Sequence, residues 1–244
     1  MLEFHYWPSP NGQKVLIFLE ETATSYQLAP VNILKGEQFR PHFLAISPNN
    51  RIPAMVDTAP QGGGAPVSVF ESGAILLYLA RKTGCFWPAT PAGEAEMLQW
   101  LMWQMSALGP MAGQAHHFSH SAPEKLPYAI NRYITETARL YAVLNRRLAT
   151  RPHVAGEAYG LADMAIYPWV VFHEMHSQKL EDFPHVGRWF ARLAARPAVI
   201  RAYEIAAPYL AQSVMNEAAA RLLFGQTAAS TQAGGAQNEE ENRT

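Results

Sequence analysis

The stretch FESGAILLYLA, residues 70–80, decides the fold that we expect. It joins a short strand to an amphipathic helix, so the hydrophobic period changes from two to 3.6 within one residue. The Ser72 hydroxyl and backbone N–H can hold a carboxylate at the helix N-terminus, and Glu71 can pair with an ammonium. Both residues can also act only as helix caps. The combination favours a site for an α-amino acid group.

Strands and helices alternate on the N-terminal side of this stretch. The order strand, helix, strand, helix, strand, strand, helix predicts a small α/β domain over residues 1–83. The predicted strands are 2–7, 26–33, 52–56 and 67–70, and the predicted helices are 14–21, 39–46 and 72–82.

Strand patterns stop after residue 83. Residues 84–92 contain Pro88 and Pro91 without periodicity and predict a linker. Apolar residues three or four apart then predict an all-helical domain over 93–212. Its helices are expected at 94–117, 127–150, 161–176, 186–195 and 197–212, before an extension, 213–244, that lacks apolar residues from about 226 and is predicted to be disordered there.

Composition excludes several classes of protein. Apolar residues make up 49% and charged residues 16% of the 244 positions, which is typical of a folded globular chain. A net charge of −1 argues against nucleic acid as a partner, and the apolar runs are too short for a membrane span. Without a signal-peptide pattern at the N-terminus, we expect a cytoplasmic protein.

The turn Ser9-Pro10-Asn11-Gly12 lies between the first strand and the first helix. Ser9 suits an N-cap and Pro10 suits the first helical position, so a purely structural role is possible. Alternatively, the Ser9 hydroxyl, the Asn11 amide and free N–H groups at a positive helix end would stabilise a bound thiolate.

Two other features leave alternatives open. Pro53 at the head of a strand can be trans, as a plain edge feature, or cis, which would present the Ile52 backbone to a peptide-like ligand. His116 and His120 are four residues apart and could share a helix face, but no carboxylate lies at ligand spacing, so we predict no metal site.

These motifs together resemble the glutathione transferase superfamily. The resemblance rests on the Ser9 turn, PNNRIP at 48–53, FESGAILLYLA and the helical C-terminal half, and it covers about residues 2–209. LGPMAGQAHHFSH at 108–120 and PYAINRY at 127–133 resemble the nu class, whose bacterial members include disulfide-bond oxidoreductases. The resemblance implies a thioredoxin-like N-terminal domain followed by an all-α domain.

The resemblance also implies glutathione as the cofactor, either as two reduced molecules or as the disulfide. The γ-glutamyl carboxylate would bind Ser72, its ammonium would lie near Glu71, and the cysteinyl backbone would pair with Ile52. The other implied binding residues are Asn11, Gln38 at the glycyl end, Arg51, Pro53 and, from the partner of a homodimer, Arg132.

The implied chemistry is carried by glutathione itself. Asn11 and Ser9 would flank the sulfur as catalytic residues, although the class often has threonine in place of Ser9. Cysteine-dependent relatives place a cysteine at the first helix, whereas the one cysteine here, Cys85, lies in the predicted linker and has apolar neighbours that predict a buried thiol. We therefore expect reduction of a small-molecule disulfide by bound glutathione.

Two alternatives remain. The chain could conjugate glutathione to electrophiles or reduce peroxides, or it could be a non-catalytic module that keeps only the fold. A further departure from the superfamily is Gly160, which stands where Ser or Thr usually caps the helix that contains Asp163. Glycine caps tolerably, so the expected cost is only a few tenths of a kcal/mol.

Overall fold

Four strands form one mixed sheet in the computed structural model, which describes residues 1–213, 215–229 and 231. The spatial order is β2-β1-β3-β4. β1 is parallel to β2 and antiparallel to β3, which is antiparallel to β4, so the predicted thioredoxin-like sheet is confirmed. The strands are β1 (Leu2–Tyr6), β2 (Tyr26–Pro30), β3 (Ala54–Asp57) and β4 (Val67–Phe70).

Three helices belong to this sheet. α1 (Pro10–Thr22) is the crossover between the parallel strands, α2 (Pro41–Leu44) is a single turn, and α3 (Ser72–Thr83) follows β4 directly. The third strand begins at Ala54 rather than at the predicted residue 52, because Pro53 has no N–H to donate to a ladder.

The rest of the described chain is helical. A π-helical turn at Gln104–Leu108 joins the first two helices, so the predicted helix 94–117 is two α-helices in one continuous run. The predicted helix 161–176 ends at Val170. Beyond it, backbone N–H groups donate to the carbonyl three residues earlier instead of four. The helices are α4 (Pro91–Trp103), α5 (Gly109–His116), α6 (Pro127–Leu148), α7 (Leu161–Val170), α8 (Pro184–Ala194), α9 (Pro197–Leu210) and α10 (Glu217–Phe224).

One hydrophobic core runs through both halves of the chain. α1 packs against α3 of its own half and against α7 and α9 of the helical half. Leu16 and Ile17 of α1, Ile75 of α3 and Ile166 of α7 are all fully buried in that core. Since α1 is shared, its N-terminal turn is held in place from both halves.

Helix α10 lies in the segment that the sequence predicted only as an extension. Asn216 caps it by accepting a hydrogen bond from the Ala219 N–H at 2.9 Å. Leu222 packs over Gly36 of the N-terminal half, and the Phe224 ring contacts His117 of the helical half. The disorder predicted from about residue 226 falls largely on 230 and 232–244, which lie outside the described residues.

Candidate functional site

A polar cavity of about 260 Å³ lies where α1 and α3 begin. Six of its nine lining residues are predicted site residues. A larger cavity, about 510 Å³, lies between β4 and the outer face of α3 and contains none of them. We take the smaller cavity as the functional site, because helix N-termini and polar side chains meet there. It is lined by Asn11, Ser47, Asn49, Arg51, Ile52, Pro53, Phe70, Glu71 and Ser72.

Glu71 and Ser72 form one end of this cavity. Ser72 is the first residue of α3 and is only 3% exposed, whereas Glu71 is exposed. Glu71 adopts φ +70° and ψ 116°, a conformation that costs a non-glycine residue about 1–3 kcal/mol and is typical of functional sites. The strain turns the chain sharply from strand to helix and puts an acidic group beside a helix N-terminus.

The first turn of α1 forms the opposite wall. The Ser9 side chain accepts a hydrogen bond from the Gly12 N–H at 2.9 Å, so Ser9 is the N-cap. A Cβ atom at Gly12 would lie 2.8 Å from the Trp7 carbonyl, which explains the glycine. Ser9 therefore caps α1, and it is not among the lining residues of the cavity.

Asn11 does line the cavity, and its amide orientation is fixed by α7. Its Oδ1 atom accepts a hydrogen bond from Trp169 Nε1 at 3.1 Å. An indole N–H can only donate, so the Asn11 oxygen faces Trp169 and its NH₂ group remains available to a ligand. Sequence analysis missed Trp169. The available signal was a tryptophan inside an apolar helix, whose N–H needs an acceptor when it is packed.

The remaining predicted residues lie at different distances from the cavity. The Ile52–Pro53 bond is cis, one of the two alternatives left open by the sequence. Gln38 is buried in the 3₁₀ turn Glu37–Phe39, donates to the Ile33 carbonyl at 3.2 Å and does not line the cavity. Arg132 is exposed on α6 and lies 3.8 Å from Glu136, away from the cavity of its own chain.

A buried lysine that sequence analysis did not single out lies directly behind Ser72. Lys14, 1% exposed, is 3.3 Å from Ser72 Oγ, 2.5 Å from Gln104 Oε1 and 3.3 Å from Met105 Sδ. Burial lowers the pKa of Lys14 to about 7, and the nearby charge of Glu71 opposes that shift. The π-helical turn thus brings the helical half to the back of the site.

The histidines lie beside this site rather than in it. The His116 ring is 5.4 Å from His120 and 6.3 Å from His176, centroid to centroid. Burial, together with the neighbouring histidines, lowers the pKa of His116 and brings that of His176 to about 3. His176 stacks on Trp169. In the described ranges, no group of His, Cys, Asp and Glu side chains has the arrangement of a metal site.

The protein's cysteine lies elsewhere. Cys85 follows α3, is half-buried rather than buried, and its Sγ atom is 3.8 Å from the Thr83 carbonyl. It is not among the lining residues of the cavity.

No described helix is both long and apolar enough to cross a membrane.

Comparison with known proteins places these features in a family. The model of the glutathione S-transferase N-terminal domain matches residues 2–81, and the C-terminal domain model matches 108–197. Disulfide-bond oxidoreductase YfcG of Escherichia coli is 52% identical over 81% of this chain and 92% of its own. Disulfide-bond oxidoreductase YghU of the same organism is 40% identical over 82% and 73%.

Solved structures agree with the sequence matches. A glutathione transferase family member from Pseudomonas fluorescens, with two glutathione molecules bound, has a TM-score of 0.78 at 40% identity and covers 82% of this chain and 91% of its own. A glutathione transferase from Pseudomonas putida, with one glutathione disulfide per subunit, has a TM-score of 0.78 at 38% identity over 84% and 91%. The chain belongs to the glutathione transferase family.

Proposed function

We propose that this enzyme reduces disulfides with bound glutathione as the thiol. The observation that carries the proposal is the Asn11 amide, which Trp169 holds with its NH₂ group free at the cavity wall. Glutathione bound with its γ-glutamyl end at Glu71 and Ser72 would put its sulfur near that group and near the N-terminus of α1. The names of the relatives YfcG and YghU support the same reaction.

The reaction balances with two glutathione molecules. The thiolate of the first attacks one sulfur of the substrate disulfide, forms a mixed disulfide and releases one substrate thiolate. The thiolate of the second attacks the glutathione sulfur of that mixed disulfide and releases the other substrate thiolate. The products are glutathione disulfide and two thiols, and the structures with two glutathiones or one disulfide bound support this stoichiometry.

The task of the protein in this reaction is to stabilise the thiolate. A free thiol has a pKa of about 8.5 and is mostly protonated at neutral pH. Lowering that pKa by one unit takes about 1.4 kcal/mol, which a helix N-terminus and one or two hydrogen bonds can supply. Asn11 donates one of these bonds. Ser9 can donate a second, because its hydroxyl oxygen caps α1 as an acceptor and keeps its hydrogen.

The other binding roles follow the cavity wall. Ile52 and Pro53 hold the cysteinyl segment of glutathione, and Arg51 lies beside them at the rim. Gln38 is assigned to the glycyl end, which requires its buried side chain to turn from the Ile33 carbonyl toward the ligand. We assign the chain to the nu class. Its proposed parts are a glutathione-binding domain over 1–83, a linker over 84–92 and an all-helical domain over 93–212.

We further propose a symmetric homodimer. The cavity of about 510 Å³ has an apolar wall that includes Val67, Val69, Ala74 and Leu77, and this face of β4 and α3 fits a second subunit. Arg132, exposed on α6, then completes the glutathione site of the partner. The reaction consumes reduced thiols, so we place the protein in the cytoplasm, where glutathione is kept reduced.

A turnover assay tests the proposed function. Wild-type protein is given excess glutathione with either a small dialkyl disulfide or an aryl halide, and formation of glutathione disulfide or of the conjugate is measured. We expect turnover with the disulfide. Turnover with the aryl halide alone would assign the chain to conjugation, and no turnover with either, despite glutathione binding, would support a non-catalytic module.

A further inference from the structure

Lys14 is a buried cation that neither the fold nor the proposed reaction explains. Its ammonium group contacts three atoms, Ser72 Oγ, Gln104 Oε1 and Met105 Sδ, and all three belong to uncharged side chains. Burying an ammonium without a counter-charge is costly. The Nε2 atom of Gln104 is itself buried without a partner, so the cluster around Lys14 is incomplete in the ligand-free chain.

The charged groups around Lys14 leave it unpaired. Among the described residues, no carboxylate lies within 4.0 Å of the Lys14 Nζ, and Glu71 is the one charged group that raises its pKa. The π-helical turn presents Gln104 and Met105, both neutral. Other ionisable side chains on the helices packed against α1 do not contribute. They are Tyr78, Arg81 and Lys82 of α3, Asp163 and Tyr167 of α7, and Arg201, Tyr203, Glu204 and Tyr209 of α9.

The chemistry of the contact fixes the direction of the Ser72 hydroxyl. An ammonium has only donors, so Ser72 Oγ accepts from Lys14 and its single hydrogen points elsewhere. Among the described residues, the acceptor that this hydrogen reaches is a weak one, Met105 Sδ, at 3.7 Å. A carboxylate in the cavity, which Ser72 lines, is a far stronger acceptor.

We infer that Lys14 is the counter-charge of the ligand carboxylate at Ser72, acting through the Ser72 hydroxyl, so that glutathione binding is coupled to protonation of Lys14. The inference rests on the proposed function, in which that carboxylate belongs to the γ-glutamyl end of glutathione. Lys14 does not touch the reacting sulfur and is a positioning residue.

The coupling has a definite sign. Since burial lowers the pKa of Lys14 to about 7, the ligand-free protein loses this proton as pH rises through neutrality. A bound carboxylate favours the charged form and raises that pKa, so binding takes up a proton above pH 7. Affinity should therefore fall about tenfold between pH 6 and pH 8, a range in which the ligand's own ammonium and carboxylates hardly titrate.

Calorimetry with S-methylglutathione tests the inference on the wild-type protein. The methyl group caps the thiol, so no proton is released from sulfur. Titrations at pH 7.5 in two buffers of different ionisation enthalpy should show uptake of more than about half a proton per site. Binding without proton uptake, with a constant Kd from pH 6 to pH 8, would overturn the role of Lys14. Failure of the wild type to bind this ligand would instead overturn the proposed function.

A variant pair adds a second readout. Lys14→Met keeps an unbranched side chain and removes the charge, whereas Lys179→Met removes an exposed lysine away from the cavity. We expect Lys14→Met to weaken S-methylglutathione binding at pH 6.5 by about tenfold, to abolish its pH dependence and to leave kcat within about threefold. Lys179→Met should match the wild type. Retention of the wild-type pH dependence in Lys14→Met would contradict the inference.

A ligand variant completes the test. An S-methylglutathione whose γ-glutamyl α-carboxylate is converted to an amide offers Lys14 no counter-charge. It should bind wild type and Lys14→Met with similar affinity and without proton uptake. If the wild type bound this amide much more tightly than Lys14→Met does, the lysine would shape the site without pairing with the carboxylate.

Discussion

Two buried ions, Asp163 and Lys14, show different ways of managing charge inside this protein. Asp163 is fully buried and accepts hydrogen bonds from Val154 N at 3.0 Å, Gly160 N at 3.1 Å and Trp189 Nε1 at 2.7 Å. Lys14 is equally buried and also has neutral partners, but one of its three acceptors is weak, Met105 Sδ, and the Nε2 atom of the neighbouring Gln104 has no partner.

The difference separates stability from binding. The bonds of Asp163 are complete within the chain, so this carboxylate ties the start of α7 to α8 and to the segment before α7. Lys14 gains a counter-charge, through the Ser72 hydroxyl, only when a carboxylate occupies the neighbouring cavity. A buried ammonium that lies behind a cavity-lining residue, with a weak acceptor and an unsatisfied amide around it, is thus a marker of the ligand.

The largest effect is expected at Asp163, whose hydrogen bonds are complete within the chain. Asp163→Ala leaves three buried donors without an acceptor, and we expect it to lower the free energy of unfolding by about 3–5 kcal/mol. Urea denaturation measures the change. Asp163→Asn, which keeps one amide oxygen as acceptor, is the matched control and should lose less. A loss below about 1 kcal/mol for the alanine variant would break the comparison.

Asn11 tests the part of the cavity that would hold the sulfur of glutathione. Asn11→Ala removes a donor to the thiolate and should lower kcat for a small disulfide by about 10- to 100-fold while changing stability little. Trp169→Phe keeps the ring but removes the N–H that orients the amide, so we expect a smaller fall, about three- to tenfold. Steady-state rates at saturating glutathione measure both. An unchanged kcat in Asn11→Ala would remove Asn11 from the mechanism.

Ser72 and Glu71 test the part of the cavity that would hold the γ-glutamyl end of the ligand. Ser72→Ala and Glu71→Gln should each raise the KM for glutathione by about tenfold with little change in kcat, because they hold groups that do not react. The same assay, with glutathione varied at a fixed disulfide concentration, measures the effect. A lowered kcat with unchanged KM would contradict this assignment.

Arg132 extends the test to the second subunit. Arg132→Ala should weaken glutathione binding by a few fold without unfolding the chain, because its exposed ion pair with Glu136 adds little stability. Analytical ultracentrifugation, run beside a glutathione titration, separates loss of the site from loss of the dimer. A fully active wild-type monomer at micromolar concentration would exclude the shared site.

The smallest effect is expected at Cys85. Since it lies outside the cavity, Cys85→Ser should retain disulfide turnover within about twofold. A large loss of turnover, with normal folding and normal glutathione affinity, would show a protein thiol in the cycle and disprove the glutathione-only mechanism.

Local signals in the sequence were sufficient for much of the fold and for part of the site. The predicted bounds of α3 and α6 lie close to the observed ones. A change of hydrophobic period marks the start of α3, and a proline in the first turn marks the start of α6. Glu71, Ser72 and Asn11 were found because residues at helix N-termini have recognisable chemistry. The π-helical turn at Gln104–Leu108 and the cap of α10 had weaker signals and were missed.

The sequence by itself determined which elements form and which polar groups stand at their ends, because both depend on neighbours within a few positions. Only the tertiary structure decided that Trp169 orients Asn11 and that Gln104 meets Lys14 behind Ser72, contacts between residues 158 and 90 positions apart. Such contacts depend on how α1 packs between the two halves, and the hydrophobic pattern of one helix does not specify which polar atoms of a distant helix will face it.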